Sequence, residues 1–289
     1  MSRLTYTPAQ FLVHDDTMAS CFALLDDAYS SAANSRLYTG LLQILRCHDT
    51  ASWNVMWRAA ECALQEGYFA VSLLSYETGA QLQQIEARPE AAVSQILIFE
   101  HCALLDSVQV LQFLEQHSLG SATGLRRLRS NLTQEEFSAA IQRILDYIAA
   151  GDTYQVNFTY RLYFESYGSV HALYLALRQR QAVPYGALIS LPDGGAIVSL
   201  SPELFIRHQA GQLYARPMKG TAAATGDDEL DRALALALAQ DQKNRAENLM
   251  IVDLLRNDLG RIAQTGSVKV TTLFEVKRYN SVLQMTSDI

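Results

Sequence analysis

The chain has 289 residues, 49% of them hydrophobic and 18% charged, a composition typical of a folded globular protein and not of a disordered, collagen-like or coiled-coil chain. Thirty acidic residues against 23 basic ones give a net charge of −7, so the sequence offers no large positive field for nucleic acid or an anionic membrane. An anionic ligand would therefore need a local device, such as a metal ion, a helix N-terminus or one buried cation.

The cysteine pattern and the apolar runs indicate the compartment. Cys21, Cys47, Cys62 and Cys102 form neither a C-x-x-C pair nor a zinc-type spacing with histidine, which predicts reduced and mostly buried thiols. No apolar run approaches the ~20 residues that span a bilayer, and residues 1–10 lack a basic-then-apolar signal pattern. We therefore expect a cytoplasmic protein without membrane or nucleic-acid partners.

Residues 1–125 are predicted to form an N-terminal α/β region. Apolar residues recur at helical spacing over 52–65, where Gly67 ends the helix, and apolar runs at 68–76 and 92–99 predict strands. The small residues of 120–123 are followed by the basic segment 124–130, which predicts a connector between two regions.

The second predicted region covers residues 131–289. Thr133 and Glu136 form a capping box that starts a helix ending near Gly151. Turn signals and alternating apolar residues then predict a meander of antiparallel strands, preceded by one strand and followed by two helices and a last strand. These predicted elements are the strand 154–164, the meander strands 187–191, 196–200, 204–207 and 213–215, the helices 228–239 and 242–259, and the strand 267–273. Separate blocks of sheet and helix predict an α+β fold with large antiparallel sheets flanked by helices. Because the pattern reaches Ile289 without a cap or polar tail, we expect the chain to be a fragment of this fold.

Three polar residues are candidates for chemistry, each with an ordinary alternative. Partial desolvation lowers the pKa of an amine and makes it a nucleophile, and Lys219, between an apolar strand and a glycine, fits this role; an exposed turn lysine is the alternative. Glu203 is either a general acid kept protonated by burial or an ion-pair partner for Arg207 on the same strand. Glu247 is either a ligand for a divalent cation or an ordinary acidic residue near a helix N-terminus.

Four segments in order resemble those of the chorismate-utilising enzymes over residues 132–289. They are Gly-Asp-Thr-Tyr-Gln-Val-Asn at 151–157, Leu-Ser-Pro-Glu-Leu at 200–204, Arg-Pro-Met-Lys-Gly-Thr at 216–221, and the long segment 243–261. Segments 24–27, 35–38 and 74–79 are similar to the family more weakly. The resemblance implies the antiparallel fold of the anthranilate synthase component I type.

Two positions separate the branches of this family. Lys219 occupies the place where anthranilate-forming enzymes carry alanine, and the resemblance implies that it is the covalent nucleophile of the aminodeoxychorismate-forming branch. Gln155 occupies the place where isochorismate and salicylate synthases carry a lysine that activates water, and a glutamine cannot act as that base. Both positions favour amination through a lysine adduct.

The resemblance also implies roles for the neighbouring residues and for partners. Glu203 would be the proton donor, Gly220, Thr221 and Gln155 would contact chorismate, and Glu247 would hold Mg2+. The glycine at 220 is expected because a side chain there would block close approach of the substrate. A glutamine amidotransferase subunit would supply ammonia, and the product, 4-amino-4-deoxychorismate, would serve 4-aminobenzoate and folate synthesis.

Ser35, Tyr185, Gly186 and Ala187 resemble residues that line an aromatic amino-acid pocket in relatives, and the three at 185–187 fit plain sheet core equally well. Two departures from the family also stand out. Gln284 stands where many relatives carry histidine, and the glycine-rich segment and further acidic metal ligand of the family are not in the sequence. We therefore expect this chain alone to be inactive or nearly so. The alternatives are an anthranilate synthase component I and a catalytically inactive module that binds chorismate or an amino acid.

Overall fold

The computed structural model describes residues 21–85, 93–118, 120 and 122–289. The chain forms two compact units, one made of residues up to Gln112 together with Leu177–Ile289, the other of Phe113–Ala176. This division differs from the sequence-based limits of 1–125 and 131–289, which fall inside the second unit. The reason is that residues 22–26 pair with residues 185–190 in one sheet, which no local pattern reveals.

A six-stranded antiparallel sheet dominates the first unit, in the order β3-β4-β2-β1-β7-β8. Its strands are β1 Phe22–Asp26, β2 Ser35–Cys47, β3 Phe69–Leu73, β4 Ser94–Leu105, β7 Tyr185–Ser190 and β8 Ala196–Ser201. β1 lies between β2 and β7, with Leu24 opposite both Leu37 and Leu188. This pairing joins the N-terminal region to the predicted meander in one sheet.

Alternation along β4 explains why its apolar run has no polar face. Ile96 and Ile98 pack with Met56 and Ala60 of helix α1, Thr50–Gln65, on one side of the sheet. Leu97 and Phe99 belong to a separate buried cluster with Ala23, Tyr38 and Ile189. Since successive side chains of a strand point to opposite faces, a strand buried on both sides must be apolar throughout.

The remaining strands of this unit form two smaller antiparallel sheets. β9 Leu204–Gln209 pairs with β10 Gln212–Arg216, and a three-stranded sheet has the order β11-β13-β12, made of Met218–Ala223, Val282–Asp288 and Thr272–Tyr279. Two consecutive helices, α6 Asp228–Gln240 and α7 Gln242–Gly260, share Asp241 as a cap between them. Leu238 of α6 packs with Leu283 and Met285 of β13, and Val252 of α7 packs with Ala215.

One short helix completes the first unit, and two more helices cross its limits. α2 is Tyr76–Leu82, and the unit boundaries fall within α3, Ser107–Ser118, and α5, Val170–Arg180. None of the helices in the described ranges is long and apolar enough to cross a membrane. None of the four cysteines, all of which lie in the described ranges, forms a disulfide; Cys21 and Cys47 are buried, but Cys62 is exposed and Cys102 is partly exposed.

The second unit pairs β5, Gly124–Ser130, with β6, Leu162–Tyr167, and carries helix α4, Gln134–Ala150. The predicted capping box of α4 is confirmed: Glu136 N donates to Thr133 Oγ1 and Thr133 N donates to Glu136 Oε2. Gly151 ends the helix in the left-handed region at φ 82°, as predicted.

Three sequence-based assignments are wrong in detail. The connector at 124–130 is a strand that pairs with β6, and its Arg126 and Arg127 form ion pairs with Glu165 of that strand. The strand predicted at 154–164 begins only at Leu162, since Phe158 and Tyr160 pack against Phe137 of α4 instead of pairing in a sheet. The last predicted strand begins at Thr272 and not at 267, and the residues before it pack beside α7 through Val268 and Val270.

The predicted meander is also divided. Its four strands are present to within a few residues, but β8 is the edge of the six-stranded sheet while β9 and β10 form a separate pair. Pro202 lies between β8 and β9, and a residue without a backbone N–H interrupts a ladder of hydrogen bonds. The break at Ser201–Glu203 turns the chain towards the next sheet.

Candidate active site

An open pocket of about 480 Å3 lies in the first unit. It collects five of the residues that the sequence predicted for the site, from the loop before β9, from β11 and from α7. Its lining consists of Pro202, Glu203, Met218, Lys219, Gly220, Thr221, Asn244, Glu247 and Gln284. The predicted nucleophile, proton donor, metal ligand and two of the predicted substrate contacts therefore border one space.

Glu203 is held beside the start of β11. Its Oε1 accepts a hydrogen bond of 3.1 Å from the backbone N–H of Met218, the residue before Lys219. The residue is exposed, and among the described residues it forms no ion pair with Arg207, whose guanidinium lies 4.8 Å from the ring of Tyr214. The structure therefore does not support the ion pair with Arg207, and the contact with Met218 fixes the Glu203 carboxyl next to β11; its role as proton donor stays a prediction.

Gly220 is required by the protein's own packing. Its φ of +101° lies where L side chains are rarely found, and a Cβ there would come within 3.2 Å of the Cβ atoms of Asn244 and Met285. Glycine was expected here so that the substrate could approach closely. The structure gives a different reason for glycine, because α7 and β13 pack closely against this backbone. Gly220 still lines the pocket.

Thr221 and Gln284 face each other across the β11–β13 ladder. Thr221 Oγ1 donates a hydrogen bond of 3.0 Å to Gln284 Oε1, and the two residues are register partners. A glutamine can keep this arrangement at any pH, because its amide does not titrate near neutrality. The wall that carries histidine in many relatives is therefore uncharged in this chain.

Glu247 lies half-buried on α7, and Lys243 Nζ, on an exposed side chain one turn earlier, is 4.0 Å from its Oε1. Within the described ranges, no group of three or more His, Cys, Asp or Glu residues is arranged to hold a metal ion. The oxygen donors around the pocket suit Mg2+, which is commonly bound by one or two carboxylates together with ligand oxygens and water. The residues fit a cation shared with an anionic ligand and do not form an all-protein cage.

Lys219 is partly buried on β11, and its carbonyl oxygen contacts a residue that the sequence had not singled out. Asn248 is fully buried on α7, and its Nδ2 lies 3.3 Å from Lys219 O and 3.4 Å from Met285 O. A signal was present: Asn244, Asn248 and Val252 recur every four residues, so a polar side chain lies on a buried helical stripe. Such a residue needs buried partners.

Gln155 belongs to the second unit, in the segment after α4. Its side chain is exposed, and its carbonyl oxygen accepts a hydrogen bond of 3.2 Å from Thr153 Oγ1. Its predicted contact with substrate stays a prediction.

The four residues of the predicted amino-acid pocket lie in strands β2 and β7. Ser35 is 1% exposed, and its hydroxyl contacts both Asp27 N and Asp26 Oδ1 at 3.0 and 3.2 Å. Gly186 pairs with Asp26, and Ala187 packs against the core of the sheet. Tyr185 is partly buried at the start of β7. These contacts favour the sheet-core alternative for the segment 185–187, and amino-acid binding stays a prediction.

A buried ion pair reinforces this end of the sheet. Arg178 Nε donates to Asp26 Oδ2 at 2.6 Å, and Arg178 also donates to Ser107 Oγ at 3.2 Å. The Asp26 side chain is fully buried and that of Arg178 is 8% exposed. The charges are thus paired and hydrogen-bonded, which is the condition for burying them.

Comparison with known proteins matches the chorismate binding enzyme model to residues 59–289. The chain belongs to this family. It is 42% identical over 161 residues to aminodeoxychorismate synthase component 1 of Escherichia coli, an alignment covering 56% of this chain and 35% of that protein. It is 33% identical over 240 residues to the Klebsiella aerogenes protein of the same name, covering 76% of this chain and 53% of that one.

A solved family structure has a similar fold. The anthranilate synthase component I from Streptococcus pneumoniae superposes with a TM-score of 0.63 at 25% identity, over 77% of this chain and 56% of that one. The α+β fold with antiparallel sheets and flanking helices, expected from the sequence, is confirmed. The chain spans between about a third and about half of the length of the curated relatives just named.

Proposed function

We propose that this chain carries the chorismate site of an enzyme that aminates chorismate to 4-amino-4-deoxychorismate. The observation that supports the proposal most directly is the shared pocket of Lys219, Glu203 and Glu247. An amine, a proton donor and an oxygen ligand on one space are the groups that displacement of a hydroxyl by way of a lysine adduct needs. Two curated relatives with this name, at 42% and 33% identity, add to the argument.

The first step forms the adduct. The lone pair of the neutral Lys219 amine attacks ring carbon 2, the ring double bonds shift, and the bond between ring carbon 4 and its hydroxyl oxygen breaks. Glu203 gives its proton to that oxygen, so water leaves, and the carboxylate then takes the extra proton of the new ammonium. The hydrogen bond from Met218 N fixes the Glu203 carboxyl beside the nucleophile's own strand.

The second step releases the product. Ammonia attacks ring carbon 4, the double bonds shift back, and the bond between Lys219 and ring carbon 2 breaks with its electron pair returning to the lysine nitrogen. A proton passes from the incoming ammonium to that nitrogen, so the enzyme is restored. The sum is replacement of one hydroxyl by an amino group, with water as the other product.

Glu247 would hold Mg2+ together with the carboxylate of the substrate and water. When bound, the ion supplies the positive charge that neutralises and orients a dianion in an acidic protein. Thr221 and Gln284, joined by their hydrogen bond, offer an uncharged polar wall to the same ligand. Lys219 and Gly220, on β11, line the same pocket.

Ammonia is proposed to come from a glutamine amidotransferase subunit, and the product to enter 4-aminobenzoate and folate synthesis in the cytoplasm. The relatives' shared name, component 1, is consistent with a second component. This part of the proposal is tested by whether an ammonium salt replaces glutamine in the assay of the isolated full-length protein.

The decisive test substitutes the nucleophile. In the full-length protein supplied with chorismate, Mg2+ and ammonium chloride, Lys219→Ala is expected to abolish aminodeoxychorismate formation, measured by liquid chromatography with mass detection. Lys269→Ala is the matched control, because Lys269 is exposed and does not line the pocket. Unchanged turnover in Lys219→Ala would contradict the covalent scheme.

The same assay distinguishes the alternatives. Release of pyruvate together with anthranilate would assign the protein to the anthranilate-forming branch. Tight binding of chorismate or an aromatic amino acid without turnover, measured by calorimetry on the full-length protein, would identify an inactive binding module.

A further inference from the structure

Asn248 is a buried polar residue in the middle of a helix, where a hydrophobic side chain would normally pack. Its exposure is 0%, and it follows directly after Glu247 on α7. It does not line the pocket. A buried amide in such a place is costly unless its donors and acceptor all have partners, so the contacts that it makes define what it does.

Every polar atom of the Asn248 side chain has a partner on the three-stranded sheet. Its Nδ2 is 3.3 Å from Lys219 O on β11 and 3.4 Å from Met285 O on β13, and its Oδ1 accepts a hydrogen bond of 2.6 Å from Ser287 Oγ. Ser287 Oγ in turn accepts from Phe274 N of β12 at 3.1 Å. One amide therefore joins α7 to all three strands of the sheet.

The helix α7 and the strands β11 and β13 also meet one helical turn earlier on α7, at Asn244. At Gly220, a hypothetical Cβ would lie 3.2 Å from Asn244 on α7 and 3.2 Å from Met285 on β13. The backbone on both sides of the Lys219–Gly220 peptide is thus held against α7, by close packing at Gly220 and by a hydrogen bond at Lys219. Neither contact involves the lysine amine.

We propose that Asn248 is a positioning residue for Lys219: it fixes the backbone of the nucleophile's strand against the helix that carries Glu247. The inference rests on the proposed function for its catalytic meaning, but the geometric coupling can be tested without turnover. Small displacements of a reacting group cost much rate, with about 1 Å worth roughly a hundredfold. Because Asn248 has no contact with the pocket space, its loss acts on the position of the amine and not on a direct contact with substrate.

The test compares two truncations on one buried helical stripe. Asn248→Ala removes the three contacts to the sheet, whereas Val252→Ala, four residues further on and 1% exposed, removes only hydrophobic packing with Ala215 and its neighbours. Ser287→Ala is the third variant; it removes the 2.6 Å bond and leaves Nδ2 able to contact Lys219 O. Urea denaturation measures the stability of each.

The first readout is the chemical reactivity of the lysine amines in this chain. The sequence has four lysines, at 219, 243, 269 and 277, so limited acetylation followed by peptide mapping compares Lys219 with three internal references. Asn248→Ala is expected to change the relative rate at Lys219 by at least about threefold, and Ser287→Ala by less. Val252→Ala is expected to leave the relative rate unchanged.

The second readout is steady-state kinetics of the full-length protein. Asn248→Ala is expected to lower kcat by about 10- to 100-fold with KM within about threefold of the wild type. If Val252→Ala alters Lys219 acetylation and kcat as much as Asn248→Ala does, the residue is structural only and the proposal is overturned. If the wild type does not turn over chorismate, the proposed function fails while acetylation alone still decides the coupling. If Asn248→Ala does not fold, the similarly sized Asn248→Leu, which also removes the hydrogen bond to Lys219 O, takes its place in the same comparison with Val252→Ala, and no change at Lys219 overturns the proposal.

Discussion

At position 220 the backbone and the surroundings both demand glycine. Gly220→Ala is expected to lose about 2–3 kcal/mol of stability, since alanine at φ +101° is strained and its Cβ would crowd Asn244 and Met285 at 3.2 Å. Gly211→Ala is the matched control, with φ +76° and nothing within 4 Å of the added atom, and it should lose only about 1 kcal/mol. Urea denaturation measures both. Equal losses would show that backbone strain alone accounts for the glycine.

The buried pair of Asp26 and Arg178 gives a second prediction for single residues. Arg178→Met leaves a fully buried carboxylate without its guanidinium, and we expect a loss of about 3–5 kcal/mol. The double variant Asp26→Asn with Arg178→Met should recover a large part of that loss, because no charge remains buried. A double-mutant cycle by chemical denaturation measures the coupling, and purely additive losses would argue against it.

The sequence predicted three polar residues that line one pocket, but not the buried residue that contacts the backbone of Lys219. Lys219, Glu203 and Glu247 belong to segments that resemble a family, and the pocket brings all three together. Asn248 lies in one of those segments too, yet its importance depends on Lys219 O, Met285 O and Ser287 Oγ. Partners distant in sequence cannot be deduced from a helical period.

One ion pair joins β10, the strand before β11, to the end of β13 in the three-stranded sheet. Arg216 Nε on β10 donates to Asp288 Oδ1 on β13 at 2.6 Å. Burial raises the pKa of the Asp288 carboxyl, but the hydrogen bond and charge of Arg216 outweigh it and hold that pKa below its ordinary value.

This pair predicts a pH dependence of stability. A carboxyl whose folded pKa is lowered stabilises the fold above its unfolded pKa of about 3.9, and the contribution disappears as the pH falls through the folded value. We therefore expect the stability of the wild type to fall more steeply than that of Asp288→Asn below about pH 4, by about 1 kcal/mol for this partly solvated pair. Urea denaturation from about pH 6 to about pH 3 measures the stability of the wild type and of Asp288→Asn. Parallel curves of stability against pH would contradict a lowered pKa for Asp288.

Four of the seven helices in the described residues were predicted accurately, whereas α2, α3 and α5 were not predicted. The helices at 50–65, 134–150, 228–240 and 242–260 carry local caps, and each was predicted to within about two residues. The strand at 124–130 was not, because its partner β6 lies more than thirty residues away and supplies the acid that neutralises its arginines. Caps are local signals, whereas pairing is not.

The charge of the whole molecule bears on ligand binding. The protein has a net charge of −7, and its pocket is lined by two acidic residues, Glu203 and Glu247, and one basic residue, Lys219. A dianionic ligand is therefore repelled both by the protein as a whole and by the pocket. If the proposed function is correct, chorismate should bind the full-length protein more tightly with Mg2+ than with a chelator present, by at least about tenfold.

Ionic strength provides the control for that measurement. With chelator, added salt should strengthen chorismate binding, because screening weakens repulsion over the Debye length of about 10 Å at 0.1 M. Calorimetry at two salt concentrations measures the effect. Weaker binding with salt and no dependence on Mg2+ would show that the site already carries net positive charge.

The six-stranded sheet also constrains how the chain acquires its structure. β1, near the N-terminus, is flanked by β2 and by β7, whose residues 185–190 follow some 160 positions later. At about 5–20 residues per second, a ribosome needs roughly 8–30 s to deliver that missing neighbour. During this interval one edge of the strand Phe22–Asp26 has backbone N–H and C=O groups without a partner strand, and such an edge can pair with another chain. Nascent chains stalled before residue 185 should therefore depend on a chaperone far more than chains stalled after residue 201.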